Sequence, residues 1–313
     1  MPDSSLMLNI LYFILGITGL VIGGEMLVKG SSRLAKGLGI SPIIIGLTVV
    51  AFGTSSPEFV VCLTAALQGA SDITVGNIVG SNIANIALIL GVAAVIKPIS
   101  IHDSITKVQA PFMIFLTLMV FIIALTHYYI GRPEGLIIFL TLPLFIFYSY
   151  YSYKKSNGDE SGNNGSSKKP VIQLVMITAG LFFLIVGARL TVSSGISFAR
   201  TFGLSELVIG VTIIAIGTSL PELSTAIFSA IKNEHEILVG NVVGSNIFNL
   251  GILGLVALIH PISVNPAALK LEFPVMIVLS ILIYPVMKIG SKISRIEGVL
   301  LLCFYFGFIY TLL

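Results

Sequence analysis

The sequence predicts an all-α polytopic membrane protein: ten transmembrane helices arranged as two inverted-topology repeats of five. Composition, the spacing of the apolar runs and an internal duplication lead there. Of 313 residues, 56% are hydrophobic and only 10% charged, and mean hydropathy is +1.04. A soluble chain of this size has too much surface to cover for such a composition. A bundle of spanning helices fits it, because its lipid-facing positions are apolar too. The 31 glycines suit the close backbone contacts of membrane helices.

Taken in order, runs long enough to span (roughly 17–25 residues) fall at 7–28, 41–67, 73–96, 110–126 and 135–152. The N-terminal MPDSS has no basic region ahead of the first run, so that run is read as a retained helix, not a cleaved signal. The fifth run ends in YSYYSYKK, tyrosines of an interfacial belt followed by lysines. Residues 154–170 are polar, rich in Gly, Ser and Asn, and read as a linker. Five more runs follow at 171–192, 205–231, 237–259, 271–287 and 298–313. The predicted organisation is a first repeat over 1–153, the linker, and a second repeat over 171–313. Basic residues fall 13 to 4 in favour of one set of alternate loops, which includes the linker. The positive-inside rule makes that side cytoplasmic and both termini external.

The duplication is direct. GLTVVAFGTSSPEFV (46–60) recurs as GVTIIAIGTSLPELS (210–224). Gly53 and Gly217 stand 164 positions apart, and the same offset relates Gly76 to Gly240, Gly80 to Gly244 and Asn85 to Asn249, without a gap across the core. Five is odd, so the second copy enters the membrane in the opposite sense and brings the two motifs together near the midplane.

Each copy places one carboxylate, Glu58 or Glu222, in an otherwise membrane-grade run directly after Pro57 or Pro221. Proline has no N–H, so the carbonyl four residues back, on Gly53 or Gly217, loses its helix partner. Thr54, Ser55, Thr218 and Ser219 add hydroxyls. Clustered oxygens with a carboxylate are what hard cations require. The competing reading is structural: glutamates bonded to backbone or held protonated. A charge at mid-membrane costs about 3 kcal/mol even on lenient scales, and two matched ones are hard to explain structurally. The following spans each carry G-N-x-V-G-S-N-I-x-N. Gly76, Gly80, Gly240 and Gly244 read as helix packing. Ser81 with Asn85, and Ser245 with Asn249, share helix faces that would be turned toward the glutamates. Asn77, Asn82, Asn241 and Asn246 read as bonds between helices. Glu25 and Arg189 read as residues snorkelling near span ends. Cys62 and Cys303 lie in apolar runs and read as buried free thiols. The four histidines have no metal-ligand spacing, and no nucleotide-hydrolysis motif or nucleophile–base pair is present. Transport would be secondary, and the chain is not read as an enzyme.

GTSSPE and GTSLPE, each followed by GN…GSN…N, resemble the two α-repeats (about 41–96 and 205–259) of the sodium/calcium exchanger family, within the cation/calcium antiporter superfamily. The compact archaeal and bacterial members are the nearest in plan. The resemblance implies that Glu58 and Glu222 bind Ca²⁺ and, alternately, Na⁺. Thr54 and Thr218 would lend carbonyls to Ca²⁺. Ala51, Ser55 and Ser81 would line one Na⁺ site and Ala215, Ser219 and Ser245 the other. Asn85 and Asn249 would complete the middle, where some members carry aspartate at the position of Asn249. Two formal charges, not three, lower the expectation of K⁺ coupling. It also implies no cofactor, Ca²⁺ and Na⁺ as substrates, the bilayer as the partner, and a prokaryotic plasma membrane. The long opening hairpins, 7–39 and 171–203, are the implied moving element. A Ca²⁺/H⁺ antiporter of the same superfamily is the alternative, disfavoured by Pro57 and Pro221. A cation channel is the alternative from another class.

Overall fold

A computed structural model describes residues 4–156, 170–201 and 215–312. Helix α1 (Ser4–Leu38) opens the chain. The second span is broken: α2 (Pro42–Ile45), a π turn over Gly46–Val50, α3 (Ala51–Thr54) and α4 (Ser56–Leu67), bent by 44° at Ser55. The third combines α5 (Ser71–Ala84), a π turn over Asn85–Ile89 and α6 (Leu90–Ile96). Strand β1 (Ile99–Ser100), a π turn over Ile105–Gln109, α7 (Ala110–His127), β2 (Tyr129–Ile130) and α8 (Arg132–Ser156) complete the first half. The second half runs α9 (Pro170–Thr201), α10 (Ala215–Gly217), α11 (Leu220–Ile231), α12 (His235–Ile259), β3 (Ile262–Ser263), α13 (Pro266–Lys270), α14 (Glu272–Lys288), β4 (Lys292–Ile293) and α15 (Arg295–Leu312). Among the described residues eight helices are long and apolar enough to span, the bent pair α2–α4 makes a ninth, and α11 is the described part of the tenth. Most of the predicted linker, and the start of the seventh run at 205–214, lie outside the described residues.

Helix ends differ from the ends of the apolar runs at three points. The first helix outlasts the apolar run that ends near 28 and continues through Lys29, Arg33 and Lys36 to Leu38, close to the 7–39 that the resemblance implies. Charge alone does not end a helix. Glu25 pairs with Lys29 one turn on at 2.7 Å, and the breaker is Gly39, which takes φ +66°. At 35 residues α1 is about 50 Å long, enough to cross a bilayer and project beyond it. Likewise α8 continues to Ser156, into the predicted linker, and α9 continues past 192 to Thr201.

A further difference concerns register. The 164-residue offset holds through Asn85 and Asn249, but Gly91 matches Gly254, Pro98 matches Pro261 and Met113 matches Met276, all 163 apart. The step coincides with the Asn85–Ile89 π turn, where Leu90 N–H reaches back to the Asn85 carbonyl, five residues away. A π turn is one extra residue taken up inside a helix. The equivalent stretch of α12 has no such residue, and α12 runs unbroken.

The inverted relation is visible in two short ribbons. β1 pairs antiparallel with β4, and β2 with β3. Since β1 and β3 are repeat equivalents, as are β2 and β4, exchanging the halves turns one ribbon into the other, as a two-fold in the membrane plane requires. Further contacts sort the loops by side. At the β1–β4 end, Ser41 bonds to Glu236 at 3.0 Å and Ile101 N–H to the Ser291 carbonyl at 2.8 Å. At the other, Ser263 N–H bonds to Ser71 at 3.3 Å and Asn265 to Asp72 at 3.4 Å.

The spans built on Ser71–Ile96 and His235–Ile259 are mostly buried and form the centre. Helices α1 and α9 lie at the edge, far less buried, and pack along each other. Glycine makes that contact possible. A Cβ on Gly23 would stand 2.7 Å from the Gly180 carbonyl oxygen, and one on Gly187 2.7 Å from that of Gly16.

Candidate cation site

Both GTSxPE segments break their helix in the same way. Ser55 takes φ −83°, ψ 4° and Ser219 φ −88°, ψ 6°, in the bridge region between helix and strand. The proline then occupies the start of the next helix, where its missing N–H is no loss. Glu58 and Glu222 therefore fall in the first turn of α4 and α11. Free N–H groups and the helix dipole favour negative charge at that position.

Both glutamates are only 1% exposed. Each meets groups from the opposite half, and Glu222 also meets Ser245 of its own half. Ser55 donates to Glu222 Oε1 at 3.2 Å, Thr54 and Ser245 stand beside the same carboxylate, and Thr218 stands beside Glu58. The Thr54 hydroxyl is turned to its own helix, donating to the Val50 carbonyl at 3.0 Å, and lies 3.2 Å from Asn241 Oδ1. Asn77 Nδ2 reaches Thr218 Oγ1 at 3.5 Å.

The neutral oxygens follow. Ser55, Ser81, Ser219, Ser245, Asn85 and Asn249 are buried, as are Ala51 and Thr54, while Thr218 is half-buried. The side chain of Ala215 lies outside the described residues. Helix α4 packs on α12, and α11 packs on the Asn85–Ile89 turn, so each glutamate's helix faces the other repeat's Ser-Asn face. Glu58 Oε2, Glu222 Oε2, Ser81 Oγ, Ser219 Oγ, Ser245 Oγ, Asn85 Oδ1 and Asn249 Oδ1 are all buried without a hydrogen-bond partner. A buried polar atom left so costs about 1–3 kcal/mol. Seven acceptor-capable oxygens in that state on four packed segments fit a dehydrated hard cation. Among the described residues no group of three or more His, Cys, Asp or Glu could hold a metal. The donor set is thus two carboxylates with neutral oxygens, unlike a resident zinc or iron centre.

Glu25 belongs elsewhere. It holds Lys29 and, from α11's C-terminal end, Lys232 at 3.0 Å, a clamp between the edge and the centre that the sequence did not suggest. Cys62 is buried as expected, and its thiol faces the Thr74 carbonyl and Asn77 Oδ1, whereas Cys303 is exposed. Helix α15 turns Cys303 outward, and an apolar outer face is ordinary for a span. Met113 and Met276, whose sulfurs accept from Asn246 and Asn82, also escaped the sequence reading. Their matched positions were the signal available.

A family model described as sodium/calcium exchanger protein matches residues 8–153 and 172–313. A putative antiporter, CaxA, of Alkalimonas amylolytica is 37% identical, over 96% of this chain and 98% of its own. The sodium/calcium exchanger MaX1 of Methanosarcina acetivorans is 34% identical, over 97% and 98%. A solved structure of the sodium-calcium exchanger NCX_Mj, soaked with 10 mM Na⁺ and zero Ca²⁺, superimposes with a TM-score of 0.87 at 31% identity, over 98% of this chain and all of that one.

Proposed function

The chain belongs to the sodium/calcium exchanger family, and from that premise we propose that it exchanges Na⁺ for Ca²⁺ by alternating access, with Glu58 and Glu222 jointly binding the ions. The observation that carries this reading is the pair of buried carboxylates, each with a free oxygen and each met by hydroxyls of the opposite repeat. Thr54, Thr218, Ser55, Ser219, Ser81, Ser245, Asn85, Asn249, Ala51 and Ala215 complete the proposed ligand set.

Two carboxylates in a desolvated space repel each other and each resists burial. Empty and ionised, the site is too unfavourable to occlude and carry across. One Ca²⁺ neutralises both charges, and so do Na⁺ ions. Turnover therefore requires that one cation replace the other before the site faces the opposite side. The moving element in this account is the α1–α9 pair, which lies against the centre with few buried residues of its own. Na⁺ entering drives Ca²⁺ out, and reversed gradients reverse the flow. The basic β1–β4 end, with the linker, is assigned to the cytoplasm and both termini to the outside. The halves, 1–153 and 171–313, act as the two inverted units.

The test is transport in liposomes loaded with Na⁺, following uptake of radiolabelled Ca²⁺ with and without external Na⁺. Uptake driven by the outward Na⁺ gradient is expected. Uptake indifferent to Na⁺ but driven by a pH gradient would place the chain with proton-coupled antiporters. Flux without any counter-ion would make it a channel.

A further inference from the structure

We propose that Asn82 and Asn246 are positioning residues that fix the polarity of the Asn85 and Asn249 amides, so that oxygen and not N–H₂ faces the bound cation. The inference rests on the cation-site reading above and extends it to two side chains that touch no ion.

The four asparagines form a two-fold network between α5, its π turn and α12, with Asn82 and Asn246 closed into a ring by reciprocal bonds and Asn85 and Asn249 attached to it. Asn82 Nδ2 donates to the Asn246 carbonyl at 3.3 Å, and Asn246 Nδ2 to the Asn82 carbonyl at 3.5 Å. The same nitrogens lie 3.6 Å from Met276 Sδ and 3.5 Å from Met113 Sδ. Asn85 Nδ2 donates to Asn246 Oδ1 at 2.9 Å, and Asn249 Nδ2 to Asn82 Oδ1 at 3.0 Å.

An amide's two ends look alike in shape, so its orientation has to be argued from partners. Here the partners decide. A backbone carbonyl and a thioether can only accept. They pin the nitrogens of Asn82 and Asn246 toward the opposite helix. The oxygens of these two side chains must then point at Asn85 and Asn249, which can answer only with their own nitrogens. What remains on Asn85 and Asn249 is the oxygen, and in both residues that oxygen is buried and without a partner. Reversing any one amide would set two acceptors or two donors face to face. The network thus converts four neutral side chains into two oriented ligands, with the same logic in each half.

A double-mutant cycle on Ca²⁺ binding tests this, read as equilibrium binding of radiolabelled Ca²⁺ to the purified full chain in detergent. Asn85→Ala is expected to weaken binding about tenfold by removing one ligand. Asn246→Leu, close in volume, is expected to weaken it by a similar factor, because Asn85 loses the acceptor that turns its nitrogen away. If Asn246 acts through Asn85, the double variant binds no worse than either single one. Multiplied losses in the double variant, or unchanged affinity in Asn246→Leu, would overturn the proposal. Asn82→Leu with Asn249→Ala poses the same question from the other half and carries the test if Asn246→Leu does not fold. Because binding is read directly, the cycle gives its answer even where Na⁺-driven transport fails.

Discussion

The centre and the edge of this protein are equally apolar in sequence and opposite in construction. The spans 71–96 and 235–259 are mostly buried, while most residues of α1 and α9 are not. In the centre, polar side chains on one helix are matched to polar side chains on another, and a few oxygens are left without partners. At the edge, backbone approaches backbone at Gly16, Gly23, Gly180 and Gly187, flanked by apolar side chains and one Asn9–Ser197 bond. The first construction fixes atoms in place. The second brings two long helices close at small residues, with few polar side chains matched between them. Affinity should therefore reside in the centre and turnover at the edge.

The sharpest way to break that division is to remove a central charge. Glu58→Gln and Glu222→Gln are near-isosteric and should each weaken Ca²⁺ binding at least about 100-fold, since a charge-assisted contact in a low-dielectric site is lost. Elution as a monodisperse species checks that folding survives. Exchange at an undiminished rate in either variant would remove it from the site. Next in size is Gly23→Leu at the edge, where even a Cβ would meet the Gly180 carbonyl. Turnover should fall about tenfold or more with Ca²⁺ affinity changed less than about threefold, since the overpacking strain of about 1–3 kcal/mol falls on the α1–α9 contact. A loss confined to affinity would contradict the division. Ser55→Ala should weaken Ca²⁺ binding by about tenfold, the lower weight of one hydrogen bond to a charged group. Smallest is Lys232→Ala. Its bond to the partly exposed Glu25 should contribute less than about 1 kcal/mol, a shift of a few degrees at most in thermal unfolding.

Much of the architecture was legible because a bilayer imposes simple demands. Ten apolar runs, an odd number per repeat and a constant offset lead to an inverted bundle by counting. Where the reading fell short, the reason is local. Hydropathy locates the apolar part of α1 but not its end, which depends on Gly39 and on the Glu25–Lys29 pair. The step from 164 to 163 could have been counted, yet nothing in the letters between Asn85 and Gly91 says that one residue is taken up as a π turn. The asparagine network was less accessible still. Spacing puts Asn82 and Asn85 on adjoining positions of one helix, but which end of an amide faces which partner depends on carbonyls and sulfurs supplied by other segments.

The two glutamates stand at the heart of the account, and the measurement that tests them most directly is calorimetric titration of Ca²⁺ into the purified wild type, Glu58→Gln and Glu222→Gln proteins. One Ca²⁺ per chain is expected in the wild type, displaced by Na⁺, with binding lost in either variant because both carboxylates hold the same ion. Retention of wild-type Ca²⁺ affinity in either variant, as two independent sites would give, would contradict it.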